Sequence, residues 1–201
     1  MISQIANLSE RLFTIFSSQA FLSMKGQANE VPLFIQTYDT AHEDDLRNMV
    51  EGLAARLRSD GKTVSRTDFF DLVLDDLDDS QLLSGLIEEE STFTKAEVLE
   101  TLRNCSDPRT HLVPRLKQVI DLGSDLTFLT GSGRLFPFLR THTILESVQP
   151  AMLRHPIIIF FPGRYDQDAT GGSHLQLFGS IPSPLINNPY YRASNMDHYR
   201  I

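Results

Sequence analysis

The chain has 201 residues with 26 acidic and 18 basic side chains, a formal net charge of −8, and one cysteine. That length supplies one sizeable core, so a single domain over residues 1–201 is the default expectation. The acidic balance excludes a general nucleic-acid-coating role, Cys105 alone excludes an intrachain disulfide, and no run approaches the roughly 18 apolar residues of a membrane span.

Ile2, Ile5, Leu8, Leu12, Ile15 and Phe16 recur at three- and four-residue steps, which predicts an amphipathic helix from Ser3 to Phe21, with a break at Gly26. The apolar run EVPLFIQTY has strand length, and its proline lies where a ladder donor can be spared. Thr40 and Glu43 have capping-box spacing ahead of a face made by Leu46, Met49, Val50, Leu53, Ala54 and Leu57. The stretch SDGK ends that helix, and Thr63 to Thr67 reads as a second strand.

The middle third reads as helical. Asp68 is placed to cap FFDLVLDDL, Ser80 and Thr94 start two further patterns, and Asp107-Pro108 is another start. Pro114 lies too deep in that last pattern, so a break or a fresh helix start is expected near Leu112. DLTFLTG and PIIIFFPG are strands, and a helix is expected between them from about Phe136 to Val148. Strand, helix, strand at both ends of the chain predicts parallel crossovers. The expected fold is therefore a three-layer α/β/α domain with a short, mostly parallel sheet of about four to five strands and a helical insertion in the middle third. From about residue 167 to 201 the composition becomes irregular, broken by LQLFG and YYRAS.

The groups that carry chemistry are mostly missing. GSG at Gly131 to Gly133 sits between a strand and a helical pattern, where backbone N–H groups could meet a phosphate. The second glycine, lysine and Ser/Thr of a P-loop are absent, and Phe136 stands where a dinucleotide fingerprint needs a small residue. The turn is read as a change of chain direction or a contact loop. Asp75 to Asp79 and Glu88 to Glu90 lack calcium-loop spacing and read as solvated helix ends, with an interaction surface as the other reading. The six histidines form no metal-binding pair, and Ser132 does not sit in a nucleophile elbow. Arg140 and His142, two apart on the expected helix, should face different ways. No catalytic, cofactor-binding or metal residue is assigned, and no cofactor is expected.

FLTGSGRLFPFLRTHTILESV, PIIIFFPGRYD, LQLFG and YYRASNM, preceded by NEVPLFIQTYD and THLVP, occur in an order that resembles the BrxB proteins of BREX, the bacteriophage-exclusion systems. The resemblance runs from about Leu8 to Met196. It implies a small cytoplasmic accessory component of an antiviral system that also contains PglZ, a member of the alkaline-phosphatase superfamily, a DNA methyltransferase and large ATPases. The expected function is a non-enzymatic adaptor that binds PglZ, with other BREX components as further partners and no membrane partner. Gly131, Gly133, Pro137, Arg140 and His142 carry the central motif, and Pro162, Gly163 and Tyr165 the later one, as an interaction surface or as fold determinants. Two rivals remain at this stage. One is a nucleotide-sensing or hydrolysing domain on a degenerate P-loop-like scaffold. The other is a nucleic-acid-binding subunit, which needs Arg134, Arg140, Arg154 and Arg164 on one face. The oligomeric state is open.

Overall fold

The computed structural model describes residues 2–24, 31–120, 123–167, 173–182 and 193–200. The elements in chain order are α1 (Ile2–Ser17), α2 (Gln19–Leu22), β1 (Leu33–Tyr38), α3 (Glu43–Ser59), β2 (Val64–Asp68), α4 (Phe69–Asp79), α5 (Leu83–Glu88), α6 (Lys95–Cys105), α7 (Val113–Ile120), β3 (Leu126–Thr130), α8 (Thr141–Ser147), β4 (Ile157–Gln167), β5 (Ser173–Leu177), β6 (Ile181–Pro182) and β7 (Ser194–Asn195). The expected break at Gly26 and the YYR of YYRAS lie outside the described residues.

The sheet runs β2-β3-β4-β1-β7, and every pairing along that path is parallel. β5 pairs antiparallel with the far half of β4, and β6 with β5. Period-2 alternation sorts side chains onto two faces. Leu33, Ile35, Ile157, Ile159 and Phe161 join the core under α4, α7 and α8. Phe34, Tyr38, Phe128, Ile158 and Phe160 join the core under α1, α2 and α3. The near-continuous apolar run of β4 follows from burial on both faces, and the three-layer α/β/α expectation holds.

Both expected crossovers are parallel, and they differ in span. β3-α8-β4 joins neighbouring strands, but β1-α3-β2 spans the two positions later filled by β3 and β4. The chain thus moves from β1 to an edge with α3 on one face, then returns through β2, β3 and β4 with its helices on the other. Changing face as the direction reverses keeps all crossovers at one hand.

Several local signals resolve differently in three dimensions. The expected helix Ser3–Phe21 divides at Ser18, which takes an extended backbone and caps α2 through a Phe21 N–H bond of 3.3 Å. Asp39, not Thr40, accepts the N–H of Ala41, a 3₁₀ turn precedes α3, and Glu43 accepts from the Tyr38 hydroxyl instead of closing a capping box. Ser80 ends α4 and does not start a helix. By contrast, Thr94 and Glu97 form the full capping box, and the fresh start expected near Leu112 appears as a π turn over Pro108–Leu112 followed by α7.

Candidate functional site

Parallel strands expose their carboxyl ends to the loops that usually carry a site in an open α/β sheet. Here the loop after β3 begins at Gly131, whose φ of +75° suits glycine. The space beside it is already taken. Asp68, the last residue of β2, accepts from Phe70 N at 2.8 Å and from the Thr130 hydroxyl at 2.9 Å, and its Oδ2 pairs with Arg134 at 2.5 Å. Arg134 also lies 3.7 Å from Asp71 and over the ring of Phe70. The anion facing this turn is therefore the protein's own carboxylate, held there by the turn's own arginine. Burial and the neighbouring Asp68 push the Asp71 carboxyl above its ordinary value.

The second glycine is covered as well. A Cβ on Gly133 would come within 2.7 Å of Pro162 and 3.1 Å of Phe178, so the turn lies close under the β4–β5 arm. Ser132 is buried and donates to Phe160 O at 3.3 Å. Gly163, with φ +145°, lets β5 pass so close that a Cβ would meet Gln176 O at 2.0 Å. Two residues on, the buried Tyr165 hydroxyl donates to Ala193 O at 2.7 Å, and its carbonyl accepts from Asn195 at 3.3 Å. Gly131, Gly133, Pro162, Gly163 and Tyr165 thus come together as the joint between the strand ends and the β4–β5 arm.

The remaining motif residues do not share a helix as expected. Ser132–Leu135 is a 3₁₀ turn, Phe136-Pro137 is a cis peptide, and α8 starts only at Thr141 with Arg140 as its extended N-cap. Arg140 lies over the ring of Phe136 at 5.0 Å, whereas His142 is buried, so the two do face different surroundings. Desolvation lowers the His142 pKa, with Arg140 adding to the effect and Glu146 opposing it. Beside His142 is a small cavity of about 10 Å³, at the lower limit for one water, lined by Thr141, Phe161 and Leu177 among others. The buried Thr141 hydroxyl has no partner.

The four arginines that a nucleic-acid surface would need do not converge. Arg134 and Arg140 follow the carboxyl end of β3, while Arg154 precedes the amino end of β4 at the opposite rim of the sheet. Among the described residues no group of three or more His, Cys, Asp or Glu is placed to hold a metal ion. No helix among them is long and apolar enough to cross a membrane.

The acidic runs are exposed as expected at Asp75, Asp78, Asp79 and Glu88 to Glu90, and Asp76 is the exception. Asp76 is buried, accepting from His111 Nδ1 at 2.7 Å and from Arg115, which also bonds Asp79 at 2.6 Å. One carboxylate of the run therefore ties α4 to the π turn and α7, and is not part of a solvated end.

The larger feature escaped residue-by-residue reading. Residues 69–105 hold ten carboxylates against two basic groups, the whole formal charge of the chain, and the other 164 residues hold sixteen of each sign. Three of the four exposed large hydrophobics among the described residues, Leu82, Ile87 and Phe93, lie in this stretch. α5 and α6 have no fully buried residue. An open groove of about 650 Å³ runs between Phe93, Val98, Leu99 and Leu102 on one wall and Pro137 and Phe138 on the other, with Glu90 and Lys95 at its rim. Pro137 is the one motif residue that reaches it. Dividing the net charge by segment would have found this region from sequence, because the charges of the remaining 164 residues sum to zero.

A family model described as "BREX protein BrxB" matches residues 65–196. A BREX protein BrxB of Bacillus cereus (strain H3081.97) is 30% identical over 192 residues, covering 92% of this chain and 95% of the relative. A second, from Escherichia coli O9:H4 (strain HS), is 25% identical over 177 residues, covering 86% and 82%. No solved structure matches.

Proposed function

The chain belongs to the BrxB family of BREX proteins, and from that premise we propose that it is a non-enzymatic adaptor that docks PglZ within the phage-exclusion machinery. The observation that carries this reading is the closure of the strand-end rim. Asp68 and Arg134 fill the space at Gly131, and Pro162 and Phe178 cover Gly133, so the room an anion would need at both turn glycines is already taken. An open, apolar concavity among the described residues lies between the acidic helical insertion and Pro137–Phe138, which suits recognition of a protein surface.

The test is direct. Purified full-length protein and purified PglZ, both folded, are mixed at micromolar concentration and followed by size-exclusion chromatography and calorimetry. Co-elution with measurable heat is expected, and two independent peaks with no heat would overturn the proposal. In a parallel thermal-shift measurement ATP and GTP with magnesium are expected to leave the midpoint unchanged. A nucleotide present at 100 times its dissociation constant would add about 2.7 kcal/mol.

A further inference from the structure

We infer that the groove between α6 and Pro137–Phe138 receives an amphipathic helix with basic flanks, presented by the protein partner; this deepens the adaptor reading and rests on it. Shape is the first argument. Val98 and Leu102 are four residues apart and Leu99 and Leu102 three apart, so α6 offers a ridge along its axis, facing Phe138 and Pro137 across the groove. A helix laid between such walls inserts apolar residues at i, i+3 or i+4, and i+7.

Charge selects among occupants. The stretch that bears the groove carries a formal −8 while the rest of the chain is balanced. Glu88, Glu89 and Glu90 are exposed beside it, Glu97 and Glu100 are exposed on α6, and Lys95 is the basic residue on the rim. A second copy docking through the same face would bring two such fields together, and a nucleic acid would meet repulsion of the same sign. A partner helix with Lys or Arg beside its apolar stripe meets attraction at the rim and apolar burial at the centre. Exposure of Ile87 at 65% and Phe93 at 39% leaves apolar area for that partner to cover.

The probe is a Leu/Lys amphipathic peptide of about 18 residues, long enough to hold a helix on a surface, and its Leu/Glu counterpart. Both are titrated into the full-length protein by calorimetry, into Phe93→Ser, and into Glu90→Lys, a rim change that leaves packing alone. The Leu/Lys peptide is expected to bind, about tenfold more weakly in each variant and more weakly at high salt, and the Leu/Glu peptide not to bind. Equal binding of both peptides, or unchanged affinity in both variants, would overturn the inference. So would light scattering that shows a dimer dissolved by Phe93→Ser, which would assign the groove to a second copy. If PglZ associates and both variants bind it like the wild type, the groove inference fails and the adaptor reading stands. If PglZ never associates while the peptide is still captured at the groove, the PglZ reading fails and the groove inference stands.

Discussion

Gly131 and Asp68 stand so close that a Cβ built on the glycine would fall 1.9 Å from Asp68 Oδ1. The carboxylate is itself held by Phe70 N, Thr130 and Arg134, so it cannot simply turn away. Gly131→Ala therefore combines a left-handed backbone cost of about 1–2 kcal/mol with displacement of three bonds to a charged group. A loss of about 3 kcal/mol or more in urea unfolding is expected. In a double-mutant cycle, Asp68→Ala should absorb much of that loss, and fully additive effects would refute the contact.

Asp76 is expected to matter more than any neighbouring acid in its run. Asp76→Ala strips Arg115 and His111 of a shared partner and should cost about 2 kcal/mol, less than the roughly 3–5 of a fully buried pair because Arg115 and His111 retain water contact. Asp75→Ala and Asp78→Ala serve as controls, expected within about 0.5 kcal/mol of wild type. Chemical denaturation of the three variants side by side decides the matter.

Burial lowers the pKa of both His142 and His155, the latter accepting or donating at 2.8 Å with Thr127. The unfolded chain then takes up these protons at a higher pH than the folded one. Their contribution to stability is present above the unfolded value near 6.5 and is lost as the pH falls below it toward the depressed folded values. Unfolding midpoints measured from pH 7.5 to 5.0 should decline, and His142→Gln with His155→Gln should flatten the decline. A slope that survives both replacements would show that other groups drive it.

Tyr165→Phe removes the hydroxyl that holds Ala193 and should cost about 1 kcal/mol. The diagnostic readout is local. Hydrogen exchange at residues 194–196, beside β1, should accelerate, while exchange in α3 stays at its wild-type rate.

How much of this was legible beforehand follows the range of the forces involved. Leu46 to Leu57 on one helical face, the Thr94–Glu97 box and the apolar runs of β3 and β4 are local patterns, and each appears where it was read. Ser18 looked like one polar residue inside a helical period, but the need to turn Phe21 onto Phe16 and Phe34 makes it a cap. The helix expected from Phe136 begins only at Thr141, because the apolar residues before it pack as a turn and not as a face. Asp76 was hidden among identical neighbours, since only tertiary placement of Arg115 distinguishes it. The motif glycines were visible by type, but their meaning came from chain segments far away, Asp68 for Gly131 and Gln176 for Gly163.

One junction has a temporal consequence. Asp197 accepts from Thr37 and Gln36 at 2.8 Å, and Met196 O accepts from Arg11 at 2.8 Å, so a strand from the first fifth of the chain finds its polar partners 160 residues later. At about 5–20 residues per second of synthesis, Gln36 is made roughly 8–30 s before the Asp197 carboxylate that its side-chain N–H meets, with Arg11 and Thr37 as its nearer partners until then. The polar network of β1 and Arg11 can therefore be completed only after residues 196 and 197 are made, which joins the first strand of the chain to its last described segment.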